Sequence, residues 1–390
     1  MELQKRNILV LSIAQGLSVT STNINIINTG LVGALLASNV VYATIPLSLQ
    51  FLTIAISLIP VSLLMGKIGR KPMFLIGALS AFIGCLVVAF SIYEQSFSFF
   101  ILGSILIGFS QANQQFYRYA AADNVSNNLK SKAISLVLAG GVVAAVLGPE
   151  ISRYSFDLFP KYVYLGTYLL AGFIQILNFI LLLFVNIEKP KKAMFNERPL
   201  WIILKEKTLV IAILAAATGY SLMSFIMTAT PLQIVNISKL GDSANATVIQ
   251  WHVIAMFAPS FFTGSIITYF GNRKVMFIGV FFYATSIFFG IIGQTFQHYW
   301  AALFLCGLGW NFLYVGGSDI IAKSSSPEER AKVQGVTDFI IFTFVALGSF
   351  LAGTLHSNIG WEMMMFYAII PIAILFISIM LIKPKELRFD

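Results

Sequence analysis

The chain has 390 residues, of which 58% are hydrophobic and 11% charged, with a formal net charge of +9. Soluble domains carry roughly 25% charged residues, and a water-soluble protein this apolar would expose greasy patches and aggregate, so the composition excludes a soluble globular protein. The basic surplus lies in short clusters between apolar runs, not on one face of a domain, which also excludes reading the charge as a nucleic-acid interface.

A spanning helix needs about 20 mostly apolar residues. Twelve such segments follow one another, at 7–35, 41–65, 71–93, 97–121, 132–156, 162–185, 208–235, 246–270, 274–294, 298–322, 332–356 and 362–382. In hydrocarbon every backbone polar group must be satisfied internally, so each is expected to be helical. The first run is too long for the core of a signal peptide and has no small-residue cleavage site, so it is expected to be a span. Among the Lys and Arg residues, Arg153, Lys161 and Lys239 fall at one set of span ends and Arg118 lies within a span; all the others gather at the opposite ends. The positive-inside rule then puts both termini in the cytoplasm.

One connection is long. Residues 186–207, "NIEKPKKAMFNERPLWIILKEK", form a basic, proline-containing cytoplasmic linker between a six-helix bundle over 1–185 and a second over 208–390. An internal repeat supports that division: "GRKPMFLIG" at 69–77 returns as "GNRKVMFIG" at 271–279, each opening the third span of its half. The fourth span of each half also ends in a polar, basic loop, "NLKSKA" at 128–133 and "SPEERAKVQG" at 326–335. Parallel repeats of this kind belong to transporters, with the substrate site near the midplane.

Polar residues inside apolar spans mark function by default. In span 1, Gln15, Ser18, Thr22, Asn25 and Thr29 fall on one helical stripe; Gln15, Thr22 and Asn25 are candidate substrate contacts, and interhelical packing is the alternative for the stripe. Span 4 carries Gln111, Gln114, Gln115 and Arg118, span 7 carries Tyr220, Ser224 and Thr228, and span 10 carries Trp310, Asn311, Tyr314 and Ser318. Arg118 has two readings, a contact for an anionic substrate group or a gate residue paired with an acid. Asp319, at matching depth in span 10, is the acid best placed for such a gate. Protonating a carboxylate held in low dielectric beside a cation would loosen the pair and link protons to conformation; a static salt bridge is the alternative. Asp338 in span 11 is a second proton candidate, with interfacial solvation as its alternative. The neutral amides and aromatics favour a substrate recognised by hydrogen bonding and stacking. No Walker loop, nucleophile–base pair or close metal-ligand spacing occurs, so neither enzyme activity nor a cofactor or metal is expected. The histidines His252, His298 and His356 are expected at the outer interface.

The loop "GKIGRKPMF" at 66–74 resembles the G-x-x-x-D-R-x-G-R-K signature of the major facilitator superfamily: Gly69, Arg70 and Lys71 match and Lys67 fills the first basic position, while Gly66 replaces the Asp and Ser62 the leading Gly. "PEERAK" at 327–332 and "AAVLGPE" at 144–150 are similar to further family motifs. The resemblance implies an all-α membrane protein of twelve transmembrane helices in two pseudo-symmetric six-helix bundles, with spans 1, 4, 7 and 10 lining a central cavity. It implies that Arg70 and Asp123 tie the loop between spans 2 and 3 to the end of span 4, as gate residues beside Arg118 and Asp319. The function it implies is secondary active transport of a small organic solute by alternating access, coupled to protons, in a plasma or bacterial inner membrane. Import of a nutrient or metal chelate by symport stands beside export of drugs or metabolites by antiport, and a non-transporting receptor is a remote alternative. A monomer among membrane lipids is expected, with the solute and protons as its partners.

Overall fold

The computed structural model describes residues 2–39, 42, 45–123, 125–187, 199–326 and 329–381, and every regular element among them is helical. In chain order the α-helices are α1 (Glu2–Leu36), α2 (Ile45–Ile68), α3 (Arg70–Tyr93), α4 (Phe97–Gln114), α5 (Tyr117–Asp123), α6 (Asn127–Ala139), α7 (Gly141–Ser155) and α8 (Leu165–Leu182). They continue with α9 (Leu200–Ile203), α10 (Lys207–Pro231), α11 (Asp242–Phe257), α12 (Ser260–Phe270), α13 (Asn272–Ile292), α14 (Phe296–Lys323), α15 (Arg330–Tyr367) and α16 (Ile369–Leu381). Residues 188–198 of the linker that follows α8 lie outside the described residues, as does the basic C-terminal tail.

Among the described residues ten helices or helix pairs are long and apolar enough to cross a membrane. The two predicted spans missing from that set are α1 and α4–α5, which carry the polar stripes read from the sequence, so the interior chemistry itself lowers their apolarity. Large apolar side chains such as Leu52, Ile56, Phe173, Phe281, Phe288 and Ile377 are exposed, as lipid-facing residues are.

Several predicted spans are interrupted, each for a local reason. Span 4 breaks at Gln115–Phe116, between α4 and α5. Span 8 breaks between α11 and α12 at Pro259, which has no N–H for the helical ladder. Span 7 passes after Pro231 into a π-helical turn over Leu232–Ile237. Gly360, with φ 76° and ψ 174°, turns the chain within α15 between predicted spans 11 and 12.

The chain forms two compact units: Met1–Asn124 with Gly140–Lys191, and Val125–Ala139 with Lys192–Asp390. Within this division α6, the first part of predicted span 5, packs with the second unit. Within that unit Ser131 donates to Asp319, and the backbone N–H of Gly264 donates to the Ser135 hydroxyl. A side chain at Gly264 would run into the Ser131 backbone, so the missing Cβ lets α6 and α12 meet.

The sequence repeat is also a repeat of structure. Gly69 (φ 97°, ψ 162°) and Gly271 (φ 82°, ψ 156°) share a backbone conformation that favours glycine, each immediately before a helix. The residue after each reaches a carboxylate of its own unit: Arg70 holds Asp123, and Asn272 holds Asp319. The next basic residue caps the end of the unit's last long helix. Lys71 donates to the Leu183 carbonyl beyond α8, and Arg273 donates to the carbonyls of Ile379 and Met380 in α16. Cations there satisfy carbonyls that no longer have a helical partner and complement the helix dipole.

Candidate functional site

In the first unit the polar stripe of α1 meets amides from two other helices. Asn25 donates through Nδ2 to Gln50 Oε1 at 2.6 Å; Gln50 donates through Nε2 to Gln111 Oε1 at 3.0 Å; Gln111 donates through Nε2 to the Thr22 hydroxyl at 3.1 Å. Two of the expected contacts, Asn25 and Gln111, are thereby joined by Gln50, which no stripe in the sequence marks, and Gln111 carries the chain on to Thr22. Gln50 is a single amide in the apolar second span, and that isolation was its signal. Other members of the α1 stripe are structural. Ser18 accepts from Asn178 of α8, and Thr29 bonds back to the carbonyl of Asn25. Gln15 and Gln114 are buried, with fractional exposures of 7% and 8%.

Arg118 is 2% exposed. Its Nη1 donates to the backbone carbonyl of Gln115 at 2.8 Å and to the Gln115 side-chain oxygen at 3.0 Å, and its guanidinium lies 4.3 Å from the centre of the Tyr119 ring. The cation therefore closes the C-terminal end of α4 at the break in span 4, a favourable place for positive charge. Lys323, one turn on in α14, is bonded to Asp319 at 2.7 Å.

Asp319 is fully buried, and both carboxylate oxygens are held. Oδ1 accepts from Ser131 at 2.7 Å; Oδ2 accepts from Asn272 at 2.8 Å and from Lys323 at 2.7 Å. A buried ion needs these extra bonds, because its partner's charge alone does not repay the loss of water. Arg70 and Asp123 meet as the family resemblance implied, with Nη2 and Oδ2 2.6 Å apart. Asp338 is buried in α15, within the span Arg330–Ala352.

The second unit contributes aromatic rings. Trp310 and Tyr314 of α14 stack at 4.9 Å with planes 23° apart, and Phe257 meets Trp310 edge-on at 5.4 Å. Tyr220 of α10 sets its ring against three others, Trp310 at 5.5 Å, Tyr314 at 5.1 Å and Phe342 at 5.1 Å. Trp310, Tyr314 and Phe342 are all 3% exposed or less, whereas Tyr220 is half-buried. Tyr220 is thus the ring the cluster presents, and the others support it. Ser224, one turn beyond Tyr220, is buried. Asn311 is a correction to the substrate contacts expected from span 10. Its Nδ2 donates to the Met256 carbonyl and Ser260 hydroxyl, and its Oδ1 accepts from Thr263, so the whole amide joins α14 to α11 and α12.

The histidines divide. His252 is fully buried and bonds the Leu303 carbonyl, so it is a packing residue and not the interfacial one expected. His356, between the spans ending at Ala352 and beginning at Asn358, bonds Gln233 Oε1 at 2.9 Å through Nε2. Gln233, in the π-helical turn, also donates to Tyr299, whose hydroxyl bonds Ser238, and to Gln294, which donates to Glu362. Burial pushes the His356 pKa below its ordinary 6.5. The folded state therefore favours the neutral ring: the contribution to stability is present above the unfolded pKa and is lost as pH falls below it. Thermal unfolding scans between about pH 7.5 and 5 should show a shallower acid-side fall in Tm for His356→Gln than for the unmodified protein; parallel curves would remove His356 from the acid response.

With this geometry in place, comparison with known proteins is direct. The family model described as Major Facilitator Superfamily matches residues 10–249 and 209–388. The chain belongs to that superfamily. Over 386 residues this major facilitator protein is 37% identical to the riboflavin transporter RfnT of Brucella anthropi, an alignment covering 98% of this chain and 97% of the relative. The uncharacterized transporter YddS of Bacillus subtilis is 26% identical over 359 residues, covering 84% of this chain and 80% of its own. Among solved structures, the human organic anion transporter MFSD10 (TETRAN) superposes with a TM-score of 0.79 at 12% identity, covering 96% of this chain and 99% of its own. FucP in the outward conformation superposes with a TM-score of 0.72 at 14% identity, covering 96% and 97%. At such identities the superpositions carry the fold and nothing finer. The protein is an integral membrane transporter of this superfamily and not an enzyme.

Proposed function

We propose that this transporter carries riboflavin by alternating access, coupled to protons, in a bacterial plasma membrane with both chain termini in the cytoplasm. The observation that carries the reading is the 37% identity, over nearly the whole of both chains, to a transporter named for riboflavin. The chemistry of each unit supports it. Riboflavin is uncharged and joins a planar three-ring system to a chain of hydroxyls, so it needs an aromatic face and neutral hydrogen-bonding groups. Tyr220, supported by Trp310, Tyr314 and Phe342, is such a face. The joined amides of Asn25, Gln50 and Gln111 are such groups.

For the proton we take Asp338, a carboxylate buried within the span Arg330–Ala352. Purified protein in liposomes should move riboflavin against its gradient when a pH gradient is imposed, and reversing the pH gradient reads the direction of coupling. Asp338→Asn should abolish the pH-driven part while leaving exchange of labelled for unlabelled riboflavin. Riboflavin flux indifferent to pH in the unmodified protein would refute proton coupling, and the absence of any riboflavin flux would refute the substrate.

A further inference from the structure

The amide chain of the first unit has a direction, and the direction has a chemical consequence. A row of carboxamides can bond head to tail in only two senses, because each amide has one acceptor end and one donor end. Here the sense is fixed from Asn25 Nδ2 through Gln50 and Gln111 to the Thr22 hydroxyl. The oxygens of Gln50 and Gln111 are both consumed. What remains at one end is Asn25 Oδ1, buried and without a hydrogen-bond partner. What remains at the other end is the Thr22 hydroxyl, which accepts from Gln111 and keeps its own proton to give. Thr22 and Asn25 are three residues apart on α1 and so are neighbours on one helix face.

We propose that Gln50 is a positioning residue that polarises this pair, so that Asn25 presents an acceptor and Thr22 a donor to a cyclic imide or lactam edge of the substrate. That edge, an N–H beside a carbonyl, is the complement of an acceptor beside a donor. The inference deepens the flavin reading and rests on it, because the pyrimidinedione end of the riboflavin ring system carries an imide N–H, N3–H, between two carbonyls. A buried acceptor left without a donor is costly, and a substrate N–H reaching Asn25 Oδ1 removes that cost on binding. Gln50 itself is fully buried between Asn25 and Gln111, so it acts through them.

The test compares riboflavin with 3-methylriboflavin, which keeps the rings, carbonyls and sugar chain but has no imide N–H. Equilibrium binding to the unmodified transporter should weaken roughly tenfold or more with the methylated ligand. In Asn25→Ala, and in Gln50→Leu, where the amide orientation is lost, riboflavin should weaken toward the methylated ligand and the difference between the two should collapse. Gln50→Glu still accepts from Asn25 Nδ2 and so keeps Asn25 Oδ1 presented; it should retain the discrimination, and if Gln50→Leu fails to fold, the contrast between Gln50→Glu and Asn25→Ala carries the test. Equal binding of the two ligands by the unmodified protein overturns the inference and leaves riboflavin as substrate. Discrimination that persists undiminished in Asn25→Ala also overturns it. Binding of neither ligand overturns the flavin reading and the inference together.

Discussion

Replacing Asp319 by alanine is expected to destabilise the second unit by about 3–5 kcal/mol, the usual cost of breaking a buried ion pair by removing one partner. The carboxylate is fully buried and is the shared acceptor for three donors on three elements: Ser131 of α6, Asn272 of α13 and Lys323 of α14. Taking it away removes the carboxylate that faces Lys323 and strands the Asn272 amide that donates to it, with its own desolvation cost. Asp319→Asn keeps an oxygen for one or two of these donors and should lose less. Combining Asp319→Ala with Lys323→Met should recover much of the loss, because the charge that faced the carboxylate is gone too. Thermal unfolding of the purified protein in detergent measures all three. A Tm for Asp319→Ala indistinguishable from that of the parent would show that the cluster does not hold the unit together.

How far the sequence reached can be judged from the same residues. The helical architecture and the repeat at 69–77 and 271–279 were legible because they rest on apolar run length and motif recurrence, which need no partner information. The pairing of Arg70 with Asp123 was legible because the family resemblance located both residues. The bond between Asp319 and Lys323 was passed over, although the two lie one helical turn apart on α14, where a carboxylate and a cation readily meet. Stripes share the same weakness. Periodicity placed Ser18 and Asn311 on polar faces, yet the structure uses them to join helices. Gln50 shows the converse: it lies on no stripe, so periodicity passed over it, although a lone amide in hydrocarbon has to find partners. The helix break at 115–116 was hidden because the glutamines on either side of it, Gln114 and Gln115, are helix-compatible.

Truncating Tyr220 is expected to have the largest effect on substrate affinity. Stacking of a flat heterocycle on an aromatic side chain is worth about 1–3 kcal/mol, so Tyr220→Ala should weaken riboflavin binding roughly 5- to 100-fold. The ring, not the hydroxyl, is the element at issue, so Tyr220→Phe should stay close to the parent. Trp310 provides the contrast. It is 2% exposed and enclosed by Tyr314, Phe257 and Tyr220, so its removal opens a cavity in the support and not in the presented face. Trp310→Ala should therefore lower stability by about 3–5 kcal/mol, whereas Tyr220→Ala, at a half-buried position, should cost less stability and more affinity. Titration of riboflavin fluorescence with each purified variant gives the affinities, and thermal unfolding gives the stabilities. If Tyr220→Ala binds riboflavin as well as Tyr220→Phe does, the aromatic cluster is packing alone and the flavin rings are held elsewhere. If affinity and stability instead fall in opposite order at the two positions, α10 presents the ring that recognises the substrate and α14 holds it in place.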